Sequence, residues 1–293
     1  MLDSCRLCPR NCGVNRNNNE LGYCGAGNQM VIGKYYLHKW EEPCISGNVG
    51  SGTIFFSYCN LRCIFCQNYE ISSLHKGKII SVNDFKNICL ELQTMGALNI
   101  NLVTPTHYVP LIIEGLKQAK KEGLTIPIIY NTSSYENVET IKSLNGLIDV
   151  YLPDLKYYRN EYGIKYSNCC DYFKYASEAI IEMYKKVGKC QFDNIGNIKR
   201  GVIVRHLMLP DNIDDSKEII KYLYNKYKDD IYISIMNQYT PLRILKYDNL
   251  NRKVSDKEYN ELIDYAYDLG VRNAYVQDGE TQLESFIPNF DLH

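Results

Sequence analysis

Thr53-Ile54-Phe55-Phe56-Ser57-Tyr58-Cys59-Asn60-Leu61-Arg62-Cys63-Ile64-Phe65-Cys66-Gln67-Asn68-Tyr69-Glu70-Ile71-Ser72 decides how the rest of this chain is read. The β-branched and aromatic run from Thr53 to Tyr58 predicts a strand. It leads straight into Cys59, Cys63 and Cys66, spaced C-x3-C-x2-C. A strand that ends by delivering three thiols in one short loop is a metal site by spacing. The count is informative. A structural zinc ion and a closed iron–sulfur cluster each take four protein ligands. Three close thiols point to a cubane with one iron left open for a substrate or cofactor. The bland reading of the same residues is a zinc knuckle or buried free thiols.

Outward from this loop, strand and helix patterns alternate. Strands are predicted at 53–58, 98–103, 126–130, 147–152, 202–207 and 231–236, with a short extra run at 274–277. Helices are predicted at 81–95, 110–121, 136–144, 171–187, 215–227 and 256–269. Ser255 and Glu258 form a capping box for the last, and Gly270 stops it. Six βα units with short turns imply a parallel sheet with right-handed crossovers, short of the eight units of a closed barrel. In such sheets ligands gather at the carboxyl ends of the strands. Residues 51–293 are read as that domain, and residues 1–50 as a cysteine-rich extension and linker.

The extension carries Cys5, Cys8, Cys12 and Cys24 among glycines and a proline. So short a loop-rich segment cannot build a core and needs a metal staple. Four thiolates fit zinc or an auxiliary iron–sulfur cluster, and spacing does not choose between them. Residues 31–52 read as a linker, with Cys44 a packed thiol.

Composition narrows the function. The chain has 293 residues, twelve cysteines and a net charge of −1. A sequence pI near 6.5 leaves no overall electrostatic footprint for nucleic acid. No apolar run reaches membrane-span length, and the N-terminus lacks a signal-peptide pattern. The expectation is a cytoplasmic protein whose cysteines serve metal or redox chemistry rather than disulfides.

C-x3-C-x2-C with an aromatic, Phe65, before the last cysteine resembles the radical S-adenosylmethionine (SAM) enzymes. Cys-x2-Cys-Pro-Arg-x-Cys-Gly at the N-terminus, Glu41-Glu42-Pro43-Cys44-Ile45-Ser46-Gly47 and Cys66-Gln67-Asn68-Tyr69 look like the pyruvate formate-lyase activating enzyme-like subgroup. The resemblance implies a partial (β/α)6 TIM-type barrel. It implies that Cys59, Cys63 and Cys66 bind three irons of a 4Fe-4S cluster, with SAM on the fourth. Reductive cleavage of SAM would then give methionine and a 5′-deoxyadenosyl radical that abstracts hydrogen from a substrate. That substrate is either a glycyl residue of a partner enzyme or a small molecule or peptide. The electron would come from a low-potential donor such as flavodoxin or ferredoxin. From another class, a non-catalytic zinc or iron–sulfur interaction protein is the rival reading.

The strand ends supply candidates. The Gly-Gly-Glu-Pro stretch that often receives SAM's amino group in these enzymes is replaced by Thr104-Pro105-Thr106-His107. The hydroxyls of Thr104 and Thr106 are the candidate acceptors. His107 serves either substrate or a helix cap. Asn131 and Ser133 follow strand three as candidate SAM contacts, with helix capping as the plain alternative. Asp154 and Lys156, two apart on an extended segment, share a face. They resemble the acidic and basic pair of the activating enzymes. Arg205 stands where a guanidinium meets the SAM carboxylate in that group, a planar fork suited to the task. His206 points to the opposite face. Gln238 is the candidate near the adenosyl part. Asp278-Gly279-Glu280 is read as closing the open side or touching substrate.

Overall fold

The computed structural model describes residues 1–277 and residue 290. Ten strands are described: β1 (Met30–His38), β2 (Ser51–Phe56), β3 (Lys78–Ile80), β4 (Ile100–Val103), β5 (Ile128–Thr132), β6 (Val150–Pro153), β7 (Gln191–Phe192), β8 (Ile198–Leu207), β9 (Tyr232–Met236) and β10 (Ala274–Val276). The sheet runs β10-β9-β8-β6-β5-β4-β2-β1-β3, with β7 attached to β8. The seven strands from β2 to β10 along that path pair in parallel; β1 pairs antiparallel with β2 and β3. Among the described residues the path does not close, so this is a partial barrel.

The helices are α1 (Pro43–Ser46), α2 (Tyr69–Ser72), α3 (Val82–Thr94), α4 (Val109–Lys121), α5 (Val138–Ser143), α6 (Asn160–Ser167), α7 (Tyr172–Val187), α8 (Ile213–Tyr227) and α9 (Asp256–Leu269). Helices α3 and α9 start at complete capping boxes, Ser81 with Asp84 and Ser255 with Glu258. Gly270, in the left-handed region at φ 104°, ends α9.

Strand periodicity divides the core. Tyr130, Tyr151, Val202 and Val204 point to the helix layer, where the larger cluster lies. Their neighbours Ile129, Val150, Leu152 and Ile203 point inward and pack against Cys44 and Ile45 of α1. The predicted linker at 31–52 is therefore corrected. Its first part is β1, paired with β2 from Ile32 to His38. Its second part enters the barrel interior, where Asn99 donates to the Ile45 carbonyl (2.8 Å) and Asn101 to Glu41 (2.9 Å). The helix α6 and the strands β1, β3 and β7 are additions to the predicted pattern. Asp278-Gly279-Glu280 lies outside the described residues. No helix among the described residues is long and apolar enough to cross a membrane.

Candidate functional site

The loop after β2 needs unusual backbone to turn its thiols one way. Tyr58 and Arg62 both take left-handed φ, 72° and 58°, a conformation costly for side chains of that size. Neighbours hold them there. The Tyr58 ring stacks on His75 at 4.3 Å, and Arg62 lies over Tyr23. The sulfurs also receive donors. Leu61 N–H donates to Cys59 Sγ (3.4 Å), Ser167 Oγ to Cys63 Sγ (2.9 Å) and Ser72 Oγ to Cys66 Sγ (3.3 Å). Burial, followed by the neighbouring Cys63, pushes the Cys59 thiol up to about 12. Thiolates buried this deeply need a cation beside them, which suits a metal-binding donor set.

Cys63, Cys66 and Phe65 open onto a cavity of about 350 Å³ at the carboxyl ends of the parallel strands. Its far wall carries Asn131, Asp154, Lys156, Arg205 and Gln238. Arg205 is the hub. Its Nε donates to Asp154 (3.2 Å), one terminal nitrogen to Glu41 (3.0 Å) and the other to Asn131 (2.6 Å). Three of its five N–H groups are thus given to described residues. Lys156 donates to the second Asp154 oxygen (2.7 Å). Burial alone would raise the Asp154 carboxyl, but the charges of Lys156 and Arg205 win and hold it below its ordinary value. His38 also lines the cavity; burial, then the Arg205 charge, lowers it to about 4, so it is neutral at pH 7.

Other candidates lie elsewhere. The chain leaves β4 through a left-handed Thr104 (φ 59°). That turn carries Thr104 and Thr106 out of the cavity wall, and the Thr106 hydroxyl donates to Glu136 (2.6 Å). Neither residue lines the cavity. Ser133 lies off the wall, its carbonyl accepting from Tyr172 (2.8 Å). Its buried hydroxyl has no partner among the described residues. His107 is buried against the Ser57 carbonyl (2.7 Å), and burial lowers it to about 3, so it is neutral at pH 7. His206 faces outward between the Leu155 carbonyl and Ser216. Gln238 is on the wall, and its carbonyl accepts from Gln67 (2.9 Å). Cys5, Cys8, Cys12 and Cys24 share a second, separate cavity with Thr106 and His107 on its edge. Glu41, His38 and Ser167 were missed by sequence reasoning. The adjacent acids before Pro43 were the available signal for Glu41.

A family model described as the radical SAM superfamily matches residues 53–223. An uncharacterized protein of Methanocaldococcus jannaschii is 30% identical over 280 residues, 91% of this chain and 75% of that protein. The pyruvate formate-lyase-activating enzyme of Clostridium pasteurianum is 26% identical over 234 residues, 76% of this chain and 88% of that enzyme. Among solved structures, Streptococcus suis SuiB bound to S-adenosylmethionine is similar at a TM-score of 0.51 and 14% identity, over 76% of this chain and 49% of SuiB. SuiB bound to precursor peptide SuiA gives 0.50 at 14% identity, over 76% of this chain and 47% of SuiB. This chain spans about half the length of SuiB, and the likeness is one of fold.

Proposed function

Because the chain belongs to the radical SAM superfamily, we propose that Cys59, Cys63 and Cys66 hold three irons of a 4Fe-4S cluster and that the adjoining cavity takes SAM. The observation that carries this is the convergence of Cys63 and Cys66 with Arg205, Asp154, Lys156 and Asn131 on one cavity at the strand ends. When bound, the cluster and SAM supply reductive cleavage to methionine and a 5′-deoxyadenosyl radical able to abstract hydrogen.

The protein's own residues bind and orient. The two remaining N–H groups of Arg205 receive the SAM carboxylate. Glu41, Asp154 and Asn131 fix the plane of the guanidinium, so that little freedom is lost on binding. Lys156 keeps Asp154 ionised. Ser167 and Ser72 donate to cluster thiolates and stabilise the more negative, reduced state. Phe65, packed edge-on against Tyr166 and Tyr239, shields the cluster side of the cavity.

The substrate class we favour is a protein or peptide, with the α-hydrogen of a glycyl residue as the target. The likeness to a pyruvate formate-lyase-activating enzyme and to peptide-bound SuiB supports it. So does the exposed, aromatic Trp40 on the cavity wall, 64% accessible. A low-potential flavodoxin or ferredoxin is the proposed electron donor. Cys5, Cys8, Cys12 and Cys24 are proposed to bind a second metal, zinc or iron–sulfur.

The test is anaerobic. Protein reconstituted with iron and sulfide, given SAM and a low-potential reductant, should form 5′-deoxyadenosine, and Cys63→Ala should not. Equal product from both would refute the cluster assignment.

A further inference from the structure

The loop that carries Cys59, Cys63 and Cys66 is covered on two sides. Its first half is held by the N-terminal segment: Arg10 Nε donates to the Asn60 carbonyl (3.0 Å), and the Tyr23 hydroxyl donates to the Leu61 carbonyl (3.4 Å). Its second half, Phe65, Cys66 and Gln67, lines the large cavity. Between them Ile64 is half-buried. Its N–H donates to the Tyr166 carbonyl (2.9 Å), and its own carbonyl accepts from Arg243. The edge of the loop at Ile64 is therefore bounded by the end of α6 and by the segment after β9.

The end of α6 joins this edge to the surface within three residues. Lys165 is half-buried, Tyr166 is buried, and Ser167 donates to Cys63 Sγ (2.9 Å). Successive Cα atoms are only about 3.8 Å apart, so a body resting on Lys165 lies within one helical turn of the residue that touches the sulfur. Aromatic rings span the same gap. Tyr247 packs edge-on against Tyr166 at 5.5 Å, and Tyr166 packs edge-on against Phe65 at 6.4 Å, between centroids. One-electron transfer through protein weakens steeply with distance, so a short and well-packed route favours it.

The outer end of the route is basic. The ammonium groups of Lys165 and Lys246 lie 4.4 Å and 4.7 Å from the centroid of the one Tyr247 ring. Among the described residues neither lysine is drawn into an ion pair. Glu161, the acid on α6, pairs instead with Arg159 (3.9 Å). Across residues 159–168 and 239–249 the charged side chains are Arg159, Lys165, Arg243 and Lys246 against Glu161 and Asp248. Two exposed apolar side chains stand next to the lysines in the chain, Ile164 at 49% and Ile244 at 94%. Apolar side chains among cations of one sign suit a protein partner of the opposite sign. Ile64, Lys165, Lys246 and Tyr247 do not line the large cavity, so a partner here leaves the cavity open to substrate.

We infer that the face formed by the end of α6 and residues 242–247 docks an acidic, low-potential one-electron carrier protein. This rests on the cluster reading above and gives the proposed donor its place. In the step, the reduced carrier loses one electron and the oxidised cluster gains it; no bond forms and no proton moves.

The experiment uses the full reconstituted chain and two carriers of this class, a flavodoxin and a ferredoxin. The variants are Lys165→Glu/Lys246→Glu and, separately, Ile244→Glu. Lys221→Glu/Lys226→Glu on α8 makes the same charge change elsewhere. Binding of each oxidised carrier is measured by calorimetry, and 5′-deoxyadenosine formation is driven either by the reduced carriers or by dithionite. Wild type should bind at least one carrier. Lys165→Glu/Lys246→Glu should bind it roughly tenfold more weakly at low salt, with the difference shrinking as salt rises. Ile244→Glu should weaken it in the same direction, and the α8 variant should match wild type. Carrier-driven product should fall with binding, while dithionite-driven product stays at the wild-type level, which also shows that the variants are folded. Equal binding by wild type and Lys165→Glu/Lys246→Glu, an equal loss in the α8 variant, or a wild type that turns over with dithionite yet binds neither carrier would overturn the inference. A wild type that makes no product with dithionite would count against the cluster reading, and the binding comparison would still judge the docking face.

Discussion

Glu41→Gln is a small change with a calculable cost. The carboxylate is buried, and its two oxygens serve different donors: Oε1 accepts from Asn101 (2.9 Å) and Oε2 from Arg205 (3.0 Å). A carboxamide has one oxygen. Whichever way it turns, its amino group faces a buried donor. One charge-assisted hydrogen bond is lost, worth about 1.5–3 kcal/mol. Arg205 keeps Asp154 and Asn131, so it stays charged but is less firmly oriented. If half of that loss reaches the bound ligand, SAM affinity falls about three- to twelvefold, at about 1.4 kcal/mol per decade. The melting temperature falls by a few degrees, at roughly 2–4 °C per kcal/mol for chains near this size. The assay is equilibrium SAM binding to reconstituted protein, with calorimetry on the same preparations and the exposed Glu114→Gln as control. Unchanged SAM affinity at full cluster content would refute the argument that Glu41 orients Arg205 for a ligand.

Three further outcomes are expected. Glu136 is buried under three donors, Thr106, Tyr130 and Thr132. Burial outweighs them and raises its carboxyl to about 7. The folded state thus binds the proton more tightly than the unfolded one, so stability is lost as pH rises from the ordinary value of 4.5 towards 7. Glu136→Gln should flatten that slope in denaturant titrations across the range; an unchanged slope would sink the assignment. Asp154 behaves in the opposite sense. Its depressed carboxyl stabilises the fold above the ordinary value of 3.8, and that stability is lost as pH falls below it. Asp154→Asn should remove this acid-side loss, and a variant with the native acid limb would contradict it. Ser167→Ala deletes the 2.9 Å donor to Cys63. The cluster's reduction potential should move more negative by roughly tens of millivolts, read by a potentiometric titration, and no shift would show that the hydroxyl does not act on the sulfur.

The sequence was most legible where a local period sets the structure. Apolar runs such as Val202 to Val204 and amphipathic stretches such as residues 82–94 lie in the strands and helices they predict. The β1 strand was hidden by Gly33-Lys34, where the register shifts. Gly33 is required there because a Cβ would meet Ile71 at 2.5 Å, a contact made in space and not in sequence. The same holds for the site. Asp154, Lys156 and Arg205 lie together on one cavity wall at the strand ends where the sequence places them. Glu41 was missed, since its tie to Arg205 joins residues 164 apart through an interior segment that looked like a linker. Thr106 lies off the cavity wall for a local reason: the left-handed Thr104 turns the chain away, and the buried Glu136 accepts from its hydroxyl.

In the proposed site, one loop of three thiols leaves an iron open for SAM in the cavity headed by Arg205. Electron paramagnetic resonance of the reduced, reconstituted protein tests it most directly. SAM is expected to change the spectrum of the cluster held by Cys59, Cys63 and Cys66, and Cys63→Ala to abolish the effect. A verified cluster at these cysteines whose spectrum is the same with and without saturating SAM would contradict it.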